Sequence, residues 1–195
     1  LDPEGWGSAA RFRAWEVARA ATAAPTYFAP ARVRRVGGLS GPGGAFSLID
    51  GGVFANNPSL CASAAARRLY PDAASLLVLS VGTGVTDRPY PYEQMRSWGS
   101  LDWISPRKGA PLIDVMLDGQ SDEAVRILDT LPGVRHLRLN PRLDPRRAAL
   151  DDADLRNVAY LEERARRFVA DNDALLDELC SRLTRTPQTH CREAA

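Results

Sequence analysis

At 195 residues the chain is long enough for one domain with a sizeable core. Its 45% hydrophobic and 25% charged residues are the balance of an ordinary globular protein. A net charge of +1 argues against a nucleic-acid footprint, and no run approaches the roughly 18 apolar residues of a membrane-spanning helix. Asp2, Glu4, Arg11 and Arg13 interrupt the first residues too early for a signal peptide. Cys61, Cys180 and Cys191 are odd in number and lack metal-ligand spacing, which favours a reduced, cytoplasmic setting and no metal site.

Phe12, Trp15 and Ala18 recur at helical spacing, and Pro25 stops that helix. Ala31 to Val36 and Ala45 to Asp50 read as two antiparallel strands joined by the glycine-rich stretch 37–44. On the second strand Phe46, Leu48 and Asp50 fall on one face at period two. Asn57-Pro58 opens a helix that runs to about Leu69. Leu76 to Val81 is a continuous apolar run, as expected of a strand buried on both faces of a parallel sheet. Gly82 to Tyr92, with two prolines, is loop. Ile113, Met116, Leu117, Ala124, Ile127 and Leu131 predict a helix from about Pro111 to Thr130. Val134 to Leu139 is a short strand near an edge, given Arg135, His136 and Arg138. Leu155, Val158, Leu161, Ala165 and Phe168, then Leu175, Leu179 and Leu183, mark one or two closing amphipathic helices. Residues 1–183 therefore read as part of a single domain and 184–195 as a frayed tail.

The second strand ends in Asp50-Gly51-Gly52, a carboxylate followed by two residues that let backbone pass where side chains cannot. A turn explains such a triplet by itself. Read as chemistry, an Asp carboxyl with a pKa of about 3.9 is a weak base at neutral pH. Burial beside Phe46 and Leu48 would make it a better one. His136, on the edge strand, and His190, in the tail, are unconvincing as bases. No G-x-S-x-G nucleophile elbow is present. Gly38-Leu39-Ser40-Gly41-Pro42 lacks the final glycine and lies in a hairpin loop, and Gly119-Gln120-Ser121 falls inside a helix. Gly82-Thr83-Gly84 invites a phosphate-loop reading but lacks the third glycine and the following helix, so a structural turn is favoured. The clusters Arg32, Arg34, Arg35 and Arg164, Arg166, Arg167 read as solvated faces.

Four segments in order, Ala18 to Phe28, Asp50-Gly51-Gly52, Val53 to Pro58 and Leu79 to Gly84, resemble the C-terminal half of the patatin-like acyl hydrolases. The resemblance runs from about Phe12 to about Leu183. It implies a layered α/β hydrolase-type sheet with helices on both faces, incomplete at its N-terminal side. It also implies hydrolysis of acyl lipids by a Ser-Asp dyad in which Asp50 is the aspartate and Gly51 and Gly52 complete the motif. The serine elbow and the glycine-rich oxyanion loop would lie upstream of Leu1. The implied partner is an acyl lipid, with transient contact to a membrane surface allowed, no nucleic acid, and no cofactor or metal; the oligomeric state stays open. A patatin-like binding or regulatory module without catalysis is the alternative, and a nucleotide-binding domain built on Gly82-Thr83-Gly84 is a third and weaker one.

Overall fold

The structure, a computed structural model, describes residues 12–34, 36, 45–87 and 89–185. The loop 37–44 with its Ser40 near-miss, Arg35, His190, Cys191 and residues 186–195 lie outside the described residues. The chain divides into two compact units. The first comprises residues 1–80 and 91–138, and the second residues 81–90 and 139–195.

The first unit begins with α1 (Ala14–Ala21), which leads through the Pro25 turn into β1 (Ala31–Arg34) and β2 (Ala45–Leu48). The two strands pair antiparallel, with Ala31 opposite Leu48 and Val33 opposite Phe46. Small side chains let α1 lie close on this hairpin: Ala20, Ala23, Ala31 and Val33 are buried together, with Phe12 and Leu48 packed against them. Phe12 and Phe46 meet edge to face at 5.9 Å. Both strands are shorter than the sequence pattern suggests, so Asp50 lies two residues beyond β2.

A one-turn helix, α2 (Gly52–Ala55), follows at once and leads into α3 (Ser59–Leu69). Asn57 Oδ1 accepts hydrogen bonds from both the Ser59 amide and its hydroxyl, which secures the start of α3. β3 (Leu76–Val81) pairs with β5 (Val134–Leu139). The two run parallel: Leu76 N bonds Gly133 O at one end, and Gly82 N bonds Leu139 O at the other. Between them in sequence come α4 (Tyr92–Met95), α5 (Ser100–Trp103) and the long α6 (Pro111–Thr130), which has proline in its first turn. Leu128 of α6 is fully buried.

The expectation that β3 is covered on both faces is not met within the described residues. Ser80 is buried, whereas Leu77, Leu79 and Val81 on the opposite face are 39%, 44% and 71% exposed. An apolar run records that a strand is built for two-sided cover; the elements described supply cover on the Ser80 side only.

In the second unit β4 (Val85–Thr86), inside the stretch 82–92 that the sequence reads as loop, pairs parallel with β6 (Arg142–Leu143). α7 (Leu155–Asp171) and α8 (Asp173–Arg185) close the chain. α7 is capped by the Asp154 carboxylate on Arg156 N, and Tyr160 Oη accepts from Asp144 N. The fold is mixed α/β with small sheets, and among the described residues no helix is long and apolar enough to cross a membrane.

Candidate active site

Asp50 is half-buried and held at three points. Its amide donates to Ala23 O at 3.0 Å, tying it to the buried exit of α1. Its carbonyl accepts from Val53 N, and its Oδ1 accepts from Gly52 N at 2.6 Å. The carboxylate therefore satisfies the first amide of the helical turn that follows it. Oδ2 takes no hydrogen bond among the described residues.

The two glycines do different work. A Cβ on Gly52 would stand 3.0 Å from Asp50 Oδ1, so the missing side chain is what lets the carboxylate lie against the helix start. Gly51 has ordinary helical angles, φ −64° and ψ −22°, and a Cβ there would meet nothing within 4 Å. Neither backbone conformation nor any described neighbour requires glycine at 51.

The loop entering from α1 is strained. Thr26 sits at φ +77°, an outlier for a β-branched residue that costs on the order of 1–3 kcal/mol. It is held there by the amides of Tyr27 and Phe28, which both donate to Ala24 O. Ala24 adjoins the residue that bonds Asp50. Tyr27, Phe28, Ile49, Val53 and Phe54 are all exposed, so the residues sequence-adjacent to Asp50 and to its anchor present apolar surface.

Sequence reasoning missed a second polar cluster. The His136 side chain is only 1% exposed, with Nδ1 3.1 Å from Asp129 Oδ1 and Nε2 3.1 Å from Ser80 Oγ. Arg138 Nη1 donates to the same hydroxyl at 3.2 Å. One directed chain satisfies every member: Arg138 donates to Ser80, Ser80 to His136 Nε2, and His136 Nδ1–H to Asp129. The connectivity is that of a Ser-His-Asp triad, but Ser80 lies inside β3 and is buried. Acyl transfer needs the hydroxyl at an open turn facing oxyanion donors. Burial also holds the Arg138 guanidinium below its usual range, with Asp122 opposing that effect. An alternation of Arg135, His136 and Arg138 reads as an edge exposed to water, and only the position of α6 reveals that His136 is covered.

Both glycine amides of the Gly82-Thr83-Gly84 turn are engaged. Gly82 N bonds Leu139 O and Gly84 N bonds Asn140 Oδ1. Gly84 has φ +124°, and a Cβ on it would fall 2.3 Å from Leu143. This is a structural turn, not a phosphate cradle. Ser121 lies within α6, as its sequence context suggests. No group of metal-binding side chains occurs among the described residues.

The fold and the site together present an α/β frame with an Asp-Gly-Gly turn after a strand, and comparison with known proteins shows which proteins the chain is similar to. Patatin-like protein 2 of Arabidopsis thaliana is 35% identical over 121 residues, covering 55% of this chain and 30% of that protein. Phospholipase A I of the same plant is 27% identical over 176 residues, 89% of this chain and 12% of its own length. A potato protein named probable inactive patatin-3-Kuras 1 is 35% identical over 106 residues, 47% of this chain and 28% of that protein. These likenesses support a patatin-like assignment for the chain. The chain spans under a third of the length of these relatives. No protein-family model matches it.

Proposed function

We propose that the chain is the aspartate-bearing part of a lipid acyl hydrolase that works by a Ser-Asp dyad, with Asp50 as the base. The observation that carries this reading is the asymmetry of the Asp50 carboxylate. Oδ1 is fixed by Gly52 N, while Oδ2 is left as an oriented acceptor. A general base needs that combination, one oxygen held so that the other points in a constant direction. Oδ2 takes the proton of a serine hydroxyl supplied upstream of Leu1, and the serine oxygen attacks the ester carbonyl. The leaving alcohol takes up the proton and an acyl-enzyme remains. Water, deprotonated by the same carboxylate, then adds to the acyl carbonyl; the bond to the serine oxygen breaks, the proton returns to that oxygen and the fatty acid is released. No histidine is needed; His136, the histidine among the described residues, is engaged by Ser80 and Asp129. The bare Gly51 gives the serine-bearing loop room to approach.

In the full-length protein Asp50→Asn should lower ester hydrolysis by several orders of magnitude in kcat, because the amide keeps the shape but accepts no proton. A fluorophosphonate probe should label the full-length protein and leave residues 1–195 alone unlabelled. Near wild-type turnover of Asp50→Asn, or labelling of the short chain, refutes the assignment. The second reading, a patatin-like module without catalysis, is favoured by one finding, the likeness to a potato relative named as probably inactive. Absence of a G-x-S-x-G upstream of Leu1 would decide for it.

A further inference from the structure

Helix α2 cannot hold itself in place. It has a single turn of four residues, and one turn of helix is unfavourable in isolation because nucleation fixes several dihedrals for one hydrogen bond. Its terminal carbonyls also lack partners within the helix. Since the Asp50 carboxylate accepts from the first amide of this turn, its direction depends on whatever holds α2.

The holding groups converge on one stretch of α6. Gln120 Nε2 donates to Val53 O at 3.3 Å. Asn56 Nδ2 reaches Leu117 O at 3.5 Å, and Asn57 Nδ2 reaches Ser121 O at 3.4 Å. All three bonds join the five residues after Gly52 to the five residues 117–121. Each is long, but together they attach both the single turn and the residues that follow it to a twenty-residue helix.

Gln120 shows a second feature. Its Oε1 is buried and has no hydrogen-bond partner among the described residues. A buried acceptor left in this state is unfavourable, so a methionine or leucine would suit the position better if packing were the only demand. What the amide supplies, and an apolar side chain cannot, is the N–H on Val53 O.

We infer that Gln120, assisted by Asn56 and Asn57, is a positioning residue that mounts the Asp50 turn on α6 and so aims the carboxylate. The inference rests on Asp50 being the base. Gln120 touches neither the carboxylate nor the reacting atoms; it acts through Val53 and α2.

Gln120→Met is the decisive variant, because it keeps the volume, removes the donor and also removes the orphaned acceptor. In the full-length protein, assayed on a short-chain p-nitrophenyl ester, kcat should fall about 10- to 100-fold, the loss expected for a displacement of about 1 Å at a reacting group. KM should stay within about threefold, and the melting temperature should be unchanged or higher, which a purely structural role would not give. Hydrogen exchange of the peptide covering residues 50–57 should quicken while the other peptides stay as in the wild type. A kcat within about twofold of wild type, or a raised KM at constant kcat, overturns the inference, even where exchange quickens. Should Gln120→Met fail to fold, Asn56→Ala, at an exposed position on the same mount, is judged by the same criteria. Asp50→Asn run in parallel separates the two failures. Loss of turnover in Asp50→Asn beside normal kcat in Gln120→Met rejects the mount and keeps the base. Wild-type turnover in Asp50→Asn rejects the base and the inference with it.

Discussion

Alanine at Gly51 and at Gly52 should change stability in opposite directions, although the two residues are adjacent and of one type. At Gly51 the backbone is already helical and a methyl group meets nothing within 4 Å. Removing glycine's excess freedom in the unfolded chain should therefore stabilise by about 0.4–1 kcal/mol. At Gly52 the same entropic gain, about 0.5–1 kcal/mol, is opposed by a methyl group 3.0 Å from Asp50 Oδ1. The carboxylate must give by a few tenths of an ångström, and the movement expected is a turn away from Gly52 N at the expense of the 2.6 Å bond. A hydrogen bond to a charged group is worth about 1.5–3 kcal/mol, so the net loss should be about 0.5–2.5 kcal/mol. The variants should thus differ by roughly 1–3.5 kcal/mol in urea denaturation of the full-length protein, a separation visible in the midpoints. Activity should follow a different rule. On the proposed role of Asp50, Gly52→Ala should lose kcat because it re-aims that carboxylate, and Gly51→Ala should lose it only through crowding of the proposed serine-bearing loop. Equal stabilisation by the two substitutions would refute the claim that the carboxylate occupies the space of the missing Gly52 side chain.

Two further outcomes follow from other parts of the molecule. Desolvation first, and then the Asp114 and Asp122 carboxylates, push the Asp118 carboxyl above its ordinary 3.8. The folded state thus holds that proton more tightly than the unfolded chain does, and stability is lost as pH rises from about 3.8 through the raised folded value. Asp118→Asn should raise the melting temperature at neutral pH, with the gain vanishing below that window; a gain of the same size at every pH contradicts this account. Expressed alone, residues 1–195 should bind an apolar-surface dye and dissolve poorly, because Leu77, Leu79 and Val81 line an uncovered face of β3 and Trp15, Ile113 and Met116 are also exposed. Co-expression with the upstream part should restore solubility, whereas a monomer with a sharp cooperative melt and no dye binding would show that this face needs no cover.

Sequence reasoning succeeds here where local chemistry decides the outcome. Proline in the first turn and apolar residues at helical spacing delimit α6, and alternation on either side of a glycine-rich stretch gives the β1–β2 hairpin. It fails where distant parts of the chain decide. Nothing local in Gly52-Val53-Phe54-Ala55 favours a helix; the turn exists because α6 holds it from more than sixty residues away. β4 and β6 have two residues each and become a ladder only on meeting one another. Asp50 was legible as a motif, but the unlike roles of its two glycines were not, since those depend on where a carboxylate oxygen lies.

The Arg138–Ser80–His136–Asp129 chain has a consequence for how the β3–β5 pair chooses its alignment. Side chains alternate between faces, so slipping either strand by one residue would carry its polar members to the opposite side. Ser80 would then be separated from His136 and Arg138, and a buried hydroxyl or imidazole without a partner is penalised. The apolar residues of β3 offer no such discrimination, because leucine and valine pack tolerably in several alignments. Two hydrogen bonds across the pair, with a third from His136 to Asp129 of α6, thus act as a key that admits one register. A key of this kind cannot be altered one tooth at a time. Ser80→Val would take a partner from both His136 and Arg138, and His136→Leu would leave the Ser80 hydroxyl proton and the Asp129 carboxylate without theirs. A sequence that abandons this network is expected to replace its buried members together.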